Sequence, residues 1–172
     1  VAQGGRFEYH TDMNRNITLV GAPVLDGVPA LRRATWEWGF ETGSHALRLV
    51  FSGLFDRFPK AKVALGHMGE TLPYLLWRFD SRWQISNRGT KRLERQPSDY
   101  FRSNIHVTTA GVCSDEPLRC AIDALGVERV MFSVDYPFER AEEAGRWFDA
   151  APLSATERRL VAGDNARALL RL

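Results

Sequence analysis

The sequence predicts an α/β fold in which parallel strands lie under helices, arranged as about four βα units. Three observations predict it. Short apolar runs at 62–67, 105–109 and 130–134 alternate with longer segments whose apolar residues recur at helical spacing. Each run stops abruptly in polar or glycine-bearing residues, as parallel strands do at their carboxyl ends. The 172 residues are 44% hydrophobic and 26% charged, which suffices for one ordinary core. Four units are half of an eight-unit barrel, which takes about 250 residues. If the fold is such a (β/α)8 barrel, the chain is a single domain, 1–172, forming its C-terminal portion with extra C-terminal helices, and the first half is missing. An open doubly wound sheet of four or five strands is the alternative. No glycine-rich phosphate loop follows any strand, which weighs against nucleotide binding.

The elements follow in order. Residues 6–10 form a short strand ending at His10, already under way where the chain opens at Val1, so the sequence is expected to be the later part of a longer protein. Residues 11–35, rich in Asp, Asn, Gly and Pro, make a long connection, and such connections are more often functional than idle. Over 36–58, Phe40, Leu47, Val50, Phe51, Leu54 and Phe55 recur at helical spacing until Pro59, which predicts one helix. After the 62–67 strand, Thr71 and Pro73 open a helix over 71–85, striped by Leu72, Leu75, Leu76 and Phe79. Residues 86–104 read as a loop with a turn of helix near Tyr100 and Phe101. The β-branched strand 105–109 ends in Ala110-Gly111. Ser114 caps a helix striped by Leu118, Ala121, Ile122 and Leu125, with Gly126 at its end. The strand 130–134 runs into Asp135-Tyr136-Pro137, where Pro137 cannot continue a ladder. Residues 139–150 read as helix, Ser154 and Glu157 fit a capping box, and 165–172 form a last short helix.

Composition excludes several function classes. Net charge is +2 and the 23 basic residues are scattered. Arg32-Arg33 and 88–95 are local excesses that a solvated face explains, so nucleic acid is not an expected partner. No apolar stretch reaches the roughly 18 residues that span a bilayer, and the amino end lacks a secretory pattern. The expectation is a cytoplasmic protein with no membrane partner. Cys113 and Cys120 have no second pair, which favours reduced thiols over a disulfide or zinc site.

Three strand ends carry a metal-capable or proton-transferring side chain: His10, His67 and Asp135. In a barrel these ends face one mouth, so residues distant in sequence converge. Histidine with carboxylate suits a divalent metal such as zinc. Each also has a structural explanation alone, since a lone histidine is commonly architectural and Asp135 can cap a turn. Glu70, three residues after His67, can hold the imidazole in one tautomer or relay a proton, or simply complement a helix N-terminus. Arg78 can reach an anionic substrate or be solvated. His45 reads as structural or at a subunit contact, and His106 as structural.

Several linked motifs resemble one family. Gly66-His67-Met68-Gly69-Glu70 with Leu72-Pro73 and Trp77-Arg78-x-Asp80, then Phe132-Ser133-x-Asp135-Tyr136-Pro137-Phe138-Glu139 and Asn165-Ala166-Arg167, are similar to the amidohydrolase-related metal-dependent decarboxylases. Glu41-Thr42-x-x-His45-Ala46-Leu47-Arg48-Leu49 and Phe55-Asp56-x-x-Pro59 also look like that pattern. The group includes γ-resorcylate, 2,3-dihydroxybenzoate and 5-carboxyvanillate decarboxylases and aminocarboxymuconate-semialdehyde decarboxylase. The resemblance implies a (β/α)8 barrel with one divalent metal, Zn2+ or Mn2+, held by His10 and Asp135. It implies catalysis by Asp135, His67 and Glu70, contact of Arg78 and Phe138 with a small aromatic carboxylate, and a homo-oligomer. The implied reaction delivers a proton, from Asp135, to the ring carbon bearing the carboxylate, while the metal positions the substrate and stabilises its phenolate; carbon dioxide then leaves.

Two departures bear on this reading. Thr11 stands where the family usually has proline, and the family's first-strand Glu-x-His or His-x-His pair is not visible. Glu8-Tyr9-His10 mimics that pair, but only one βα unit separates it from the 62–67 strand. With two metal ligands in place of four, the isolated chain is expected to bind metal weakly, and exposed strand edges to make it a poor independent folder. A hydrolase using metal-bound water and a non-catalytic remnant are the competing readings.

Overall fold

Three short parallel strands, β1 (Val63–Leu65), β2 (Ile105–Thr108) and β3 (Val130–Met131), pair in chain order with β2 in the middle. Val63 lies opposite Ile105, Leu65 opposite Val107, and Val107 opposite Val130. The computed structural model describes residues 28–86 and 93–172. The chain divides between Trp38 and Gly39 into two units. In the first, residues 28–38 contain two short 3-10 turns, Pro29–Leu31 and Arg33–Thr35. The strand expected at 6–10, His10 with it, lies outside the described residues, so the sheet here has three strands where the sequence predicts four. Among the described residues, no helix is long and apolar enough to cross a membrane.

The helices are α1 (Glu37–Phe51), α2 (Leu54–Arg57), α3 (Leu76–Ser86), α4 (Pro97–Asn104), α5 (Asp115–Leu125), α6 (Ala141–Ala150), α7 (Ala155–Arg159) and α8 (Asn165–Leu170). Several boundaries correct the expected ones. The single helix expected over 36–58 is two, broken where Gly53 adopts φ 71°, a left-handed conformation that glycine enters without a Cβ penalty. The helix expected from 71 begins only at Leu76, after a 3-10 turn over Leu72–Leu75. The loop expected to hold a turn of helix carries all of α4, which Pro97 opens at the first helical position. Helix α6 starts at Ala141 rather than 139. The box at α7 forms as expected: Ser154 Oγ accepts from Glu157 N–H, and the Glu157 carboxylate accepts from Ser154 N–H at 2.9 Å.

The sheet and helices enclose one core in which Val50, Phe55, Tyr100, Phe101, Ile105, Val107, Leu118, Val130 and Val161 are fully buried. Removal of each such apolar side chain from water contributes about 1.5–3 kcal/mol. Tertiary contacts decide what several motif residues do. Asp56 accepts a hydrogen bond from the Tyr100 hydroxyl. Asn104 Nδ2 donates to the carbonyls of Pro59 (3.0 Å) and Ala61 (2.8 Å) at the amino end of β1. The Asp80 carboxylate accepts from Ser98 N–H at 2.8 Å, which satisfies an orphan donor in the first turn of α4. Asn165, also buried, donates from Nδ2 to the carbonyls of Val127 (2.8 Å) and Val130 (2.7 Å) and so ties α8 to β3. The motif residues Asp56, Asp80 and Asn165 are thus architectural, as is Asn104.

His106 is buried on β2, as its structural reading expects. Its Nε2 lies 3.1 Å from Arg129 Nη1, a donor, so the neutral ring carries its proton on Nδ1, which has no hydrogen-bond partner among the described residues. Burial first, then the charges of Arg129 and Lys62, pulls its pKa from 6.5 to about 4. The unfolded chain takes up this proton near pH 6.5 and the folded chain does not. Stability is therefore full above pH 6.5 and falls as pH drops towards 4, by roughly 3 kcal/mol at most. His106→Gln should remove that part of the slope from urea midpoints measured between pH 7 and 4.5; a slope equal to that of the unsubstituted protein would contradict the assignment.

Candidate active site

Three loops leave the carboxyl ends of β1, β2 and β3, and each places a residue at one point. The first is the segment 67–71. His67, Met68, Gly69, Glu70 and Thr71 all have positive φ, from 49° to 78°, so the chain makes a left-handed turn immediately after β1. Four of the five carry a Cβ, and left-handed backbone costs about 1–2 kcal/mol for each such residue. Strain of this size persists only where surroundings over-determine it, and it clusters at functional sites. Here Met68 and Leu72 are buried in the core, and Gly69 N–H donates to Gly66 O at 2.8 Å. A side chain at Gly69 would stand 2.8 Å from Val107 Cγ1, so the turn presses directly on β2.

This turn points two side chains at each other. His67 Nδ1 and Glu70 Oε1 are 2.7 Å apart, and the Glu70 side chain is only 10% exposed. The carboxylate accepts from Nδ1–H, which leaves Nε2 facing outward. At 3.5 Å from Nε2 lies Asp135 Oδ2, on the loop after β3. Asp135 also has positive φ, 74°, a region that Asp and Asn tolerate better than most residues. The loop after β2 supplies Gly111. A Cβ there would stand 2.7 Å from His67 Cδ2, 3.2 Å from Nε2 and 3.4 Å from Asp135 Oδ2, so only glycine leaves the histidine and aspartate free to meet.

Electrostatics follow from these contacts. Partial burial of the His67 ring opposes protonation, but Glu70 and then Asp135, through hydrogen bonds and charge, outweigh it and hold the pKa above the ordinary imidazole value. The side chains of His67 and Asp135 are 41% and 32% exposed, so the pair opens to solvent.

Thr109, a residue that sequence reasoning passed over as the end of a strand, anchors the Asp135 loop. It is fully buried; its Oγ1 donates to Ser133 O at 2.7 Å and accepts from Ser133 N–H at 2.9 Å, and its N–H donates to Met131 O at 3.0 Å. Thr109→Val conserves volume and leaves Ser133 without both partners. The expected cost is about 1–2 kcal/mol by chemical denaturation; no loss would show that the clamp contributes nothing.

Of the residues singled out in the sequence, the fold thus brings together His67, Glu70 and Asp135. Phe138 shares the Asp135 loop, its N–H donating to Asp135 O at 2.8 Å, and the residue is 84% exposed. Arg78 is exposed on α3 and makes no hydrogen bond or ion pair among the described residues. His45 lies 3.7 Å from Glu41 on exposed helix surface. Cys113 and Cys120 are free thiols. Among the described residues no group of three or more His, Cys, Asp or Glu side chains is arranged to hold a metal ion. The site nevertheless offers donors of the right chemistry, an imidazole nitrogen and a carboxylate oxygen over an empty Gly111 position, and Asp135 and His67 are the side chains able to contribute to a divalent ion.

Residues 20–172 match the family described as amidohydrolase. The chain belongs to the amidohydrolase family. It is 42% identical over 154 residues to the gamma-resorcylate decarboxylase of Rhizobium sp. strain MTP-10005, covering 87% of this chain and 46% of that protein. The crystal structure of 5-carboxyvanillate decarboxylase LigW from Sphingomonas paucimobilis superposes with a TM-score of 0.84 at 39% identity, over 90% of this chain and 46% of its own. The dihydroxybenzoic acid decarboxylase from Polaromonas sp. JS666, solved with bound manganese and the inhibitor 2-nitroresorcinol, gives a TM-score of 0.82 at 40% identity, over 92% and 48%. This amidohydrolase chain thus spans about half the length of the relatives it matches.

Proposed function

We propose that the protein containing this chain is a metal-dependent, non-oxidative decarboxylase of a hydroxylated aromatic acid, with 2,6-dihydroxybenzoate (γ-resorcylate) as the first substrate to test. One observation carries the reading: His67, paired with Glu70, and Asp135 meet beyond the carboxyl ends of β1 and β3, over the space left by Gly111 after the intervening β2. Relatives with decarboxylase activity in their names, one holding manganese and a resorcinol, supply the substrate class. We read residues 1–172 as one amidohydrolase domain, the later portion of a (β/α)8 barrel, a reading that the match across 20–172 and the parallel β1–β2–β3 order support; a cytoplasmic homo-oligomer is part of the same proposal.

A bound divalent ion, Mn2+ or Zn2+, would orient the carboxylate and its neighbouring phenolic oxygen and stabilise the phenolate charge. Asp135 would be one of its protein ligands, with His10 a second. The reaction breaks the bond from ring carbon to carboxylate carbon and replaces it with a bond to hydrogen. Asp135 is the proton donor to that ring carbon, and the electron pair of the broken carbon–carbon bond returns to the ring as carbon dioxide leaves. His67, held by Glu70, presents Nε2 to the same point and keeps a proton within reach of Asp135. Arg78 and Phe138 contact the substrate's anionic and aromatic parts.

The test is carbon dioxide release from a panel of hydroxybenzoates by the manganese-loaded protein. Release from acids with a hydroxyl beside the carboxylate is expected. A hydrolysed lactone or ring with no release would instead favour hydrolysis.

A further inference from the structure

Glu70 is fixed by more than His67. Helix α1 runs past the left-handed turn with two glycines, Gly39 and Gly43, one helical turn apart and so on one face. A Cβ at Gly43 would lie 3.5 Å from the Glu70 carbonyl oxygen, 3.7 Å from Glu70 Cβ and 3.6 Å from Leu72 Cδ2, all ordinary contacts. A Cβ at Gly39 would lie 2.5 Å from Glu70 Oε2, inside any tolerable separation. Neither glycine has positive φ, so backbone conformation gives no reason for glycine at either position. Glycine within a helix costs about 1 kcal/mol relative to alanine. At Gly43 alanine would fit; at Gly39 the space belongs to the carboxylate.

We propose that Gly39 is a positioning residue: the missing side chain on α1 is the seat in which the Glu70 carboxylate rests, and that seat fixes the hydrogen bond from His67 Nδ1 to Glu70 Oε1. The obstructed atom is the far end of a flexible side chain. Alanine at 39 therefore pushes Glu70 aside without breaking the core, and what is lost is the orientation of His67. The inference deepens the decarboxylase reading and rests on it for its kinetic readout; its geometric readout is independent.

The experiment compares Gly39→Ala, Gly43→Ala, Glu70→Gln and the double variant Gly39→Ala with Glu70→Gln in the purified protein. The first readout is the tautomer of the His67 ring, from the 15N shifts of its two nitrogens at alkaline pH where the ring is neutral. The unsubstituted protein and Gly43→Ala are expected to show the proton on Nδ1, and Gly39→Ala a mixture of both tautomers. The second is steady-state decarboxylation of 2,6-dihydroxybenzoate. Gly39→Ala is expected to lower kcat about tenfold with KM within twofold, and to add no further loss once Glu70→Gln is present. Gly43→Ala is expected to keep full kcat. A folded Gly39→Ala protein with the Nδ1–H tautomer intact overturns the proposal, as does an equal kcat loss in the Glu70→Gln background. Should Gly39→Ala fail to fold, recovery on adding Glu70→Ala supports the proposal and failure to recover overturns it. Absence of carbon dioxide release from the unsubstituted protein counts against the decarboxylase reading alone, because the tautomer still reports on the seat.

Discussion

Asp135→Asn should lower carbon dioxide release by about a thousandfold while leaving the fold intact. The fold is spared because asparagine has the shape of aspartate and tolerates the left-handed backbone that position 135 adopts, φ 74°. The rate is not spared, because the amide can neither hold and deliver a proton at the ring carbon nor supply an anionic oxygen to a cation. Proton transfer by a positioned side chain contributes on the order of 10²–10⁴-fold, and loss of a charged metal ligand falls on the same residue. The check is kcat on 2,6-dihydroxybenzoate beside a circular dichroism melt. A folded Asp135→Asn protein within tenfold of the starting rate would remove Asp135 from the chemistry.

Glu70→Gln should cost roughly 10–100-fold in kcat, the range for removing a group that orients a catalytic or metal-binding side chain. The 2.7 Å contact from Glu70 Oε1 to His67 Nδ1 is charge-assisted, and it selects which ring nitrogen faces Asp135. Glutamine retains the length of the side chain and an acceptor oxygen, but it can equally turn its amide nitrogen toward the ring and reverse the tautomer. Substrate need not touch Glu70, so KM should hold within about twofold. Loss confined to KM would place Glu70 in substrate binding instead.

How much of this was legible in the sequence depends on how local the determining contact is. The Ser154 and Glu157 capping box forms as read, because both its bonds lie within four residues. The strands at 63, 105 and 130 were legible as apolar runs, and their parallel order followed from the helices between them. The break at Gly53 was hidden by apolar spacing that continues through it, since Phe55 is buried just as Val50 is. The left-handed turn at 67–71 had no local signal beyond Gly69, because four side-chain-bearing residues are held there by packing against β2. The expectation of a helix starting at 71 failed for that reason. Asp56, Asp80 and Asn165 carry family motifs yet serve distant backbone and hydroxyl groups, which no spacing rule displays. Convergence of His67 and Asp135 was predictable only through the fold, as two residues 68 positions apart meet because both follow strands of one parallel sheet. His10 lies outside the described residues, so its place beside them is a proposal.

The central claim is that the side chains at this mouth put a proton on the ring carbon that loses its carboxylate. It is tested most directly by running the reaction with 2,6-dihydroxybenzoate and manganese in D2O and examining the product by NMR and mass spectrometry. The account predicts resorcinol carrying one deuterium at the carbon between its hydroxyls, with one carbon dioxide released for each acid consumed. Unchanged acid, or a ring-opened product that keeps its carboxylate, would contradict it.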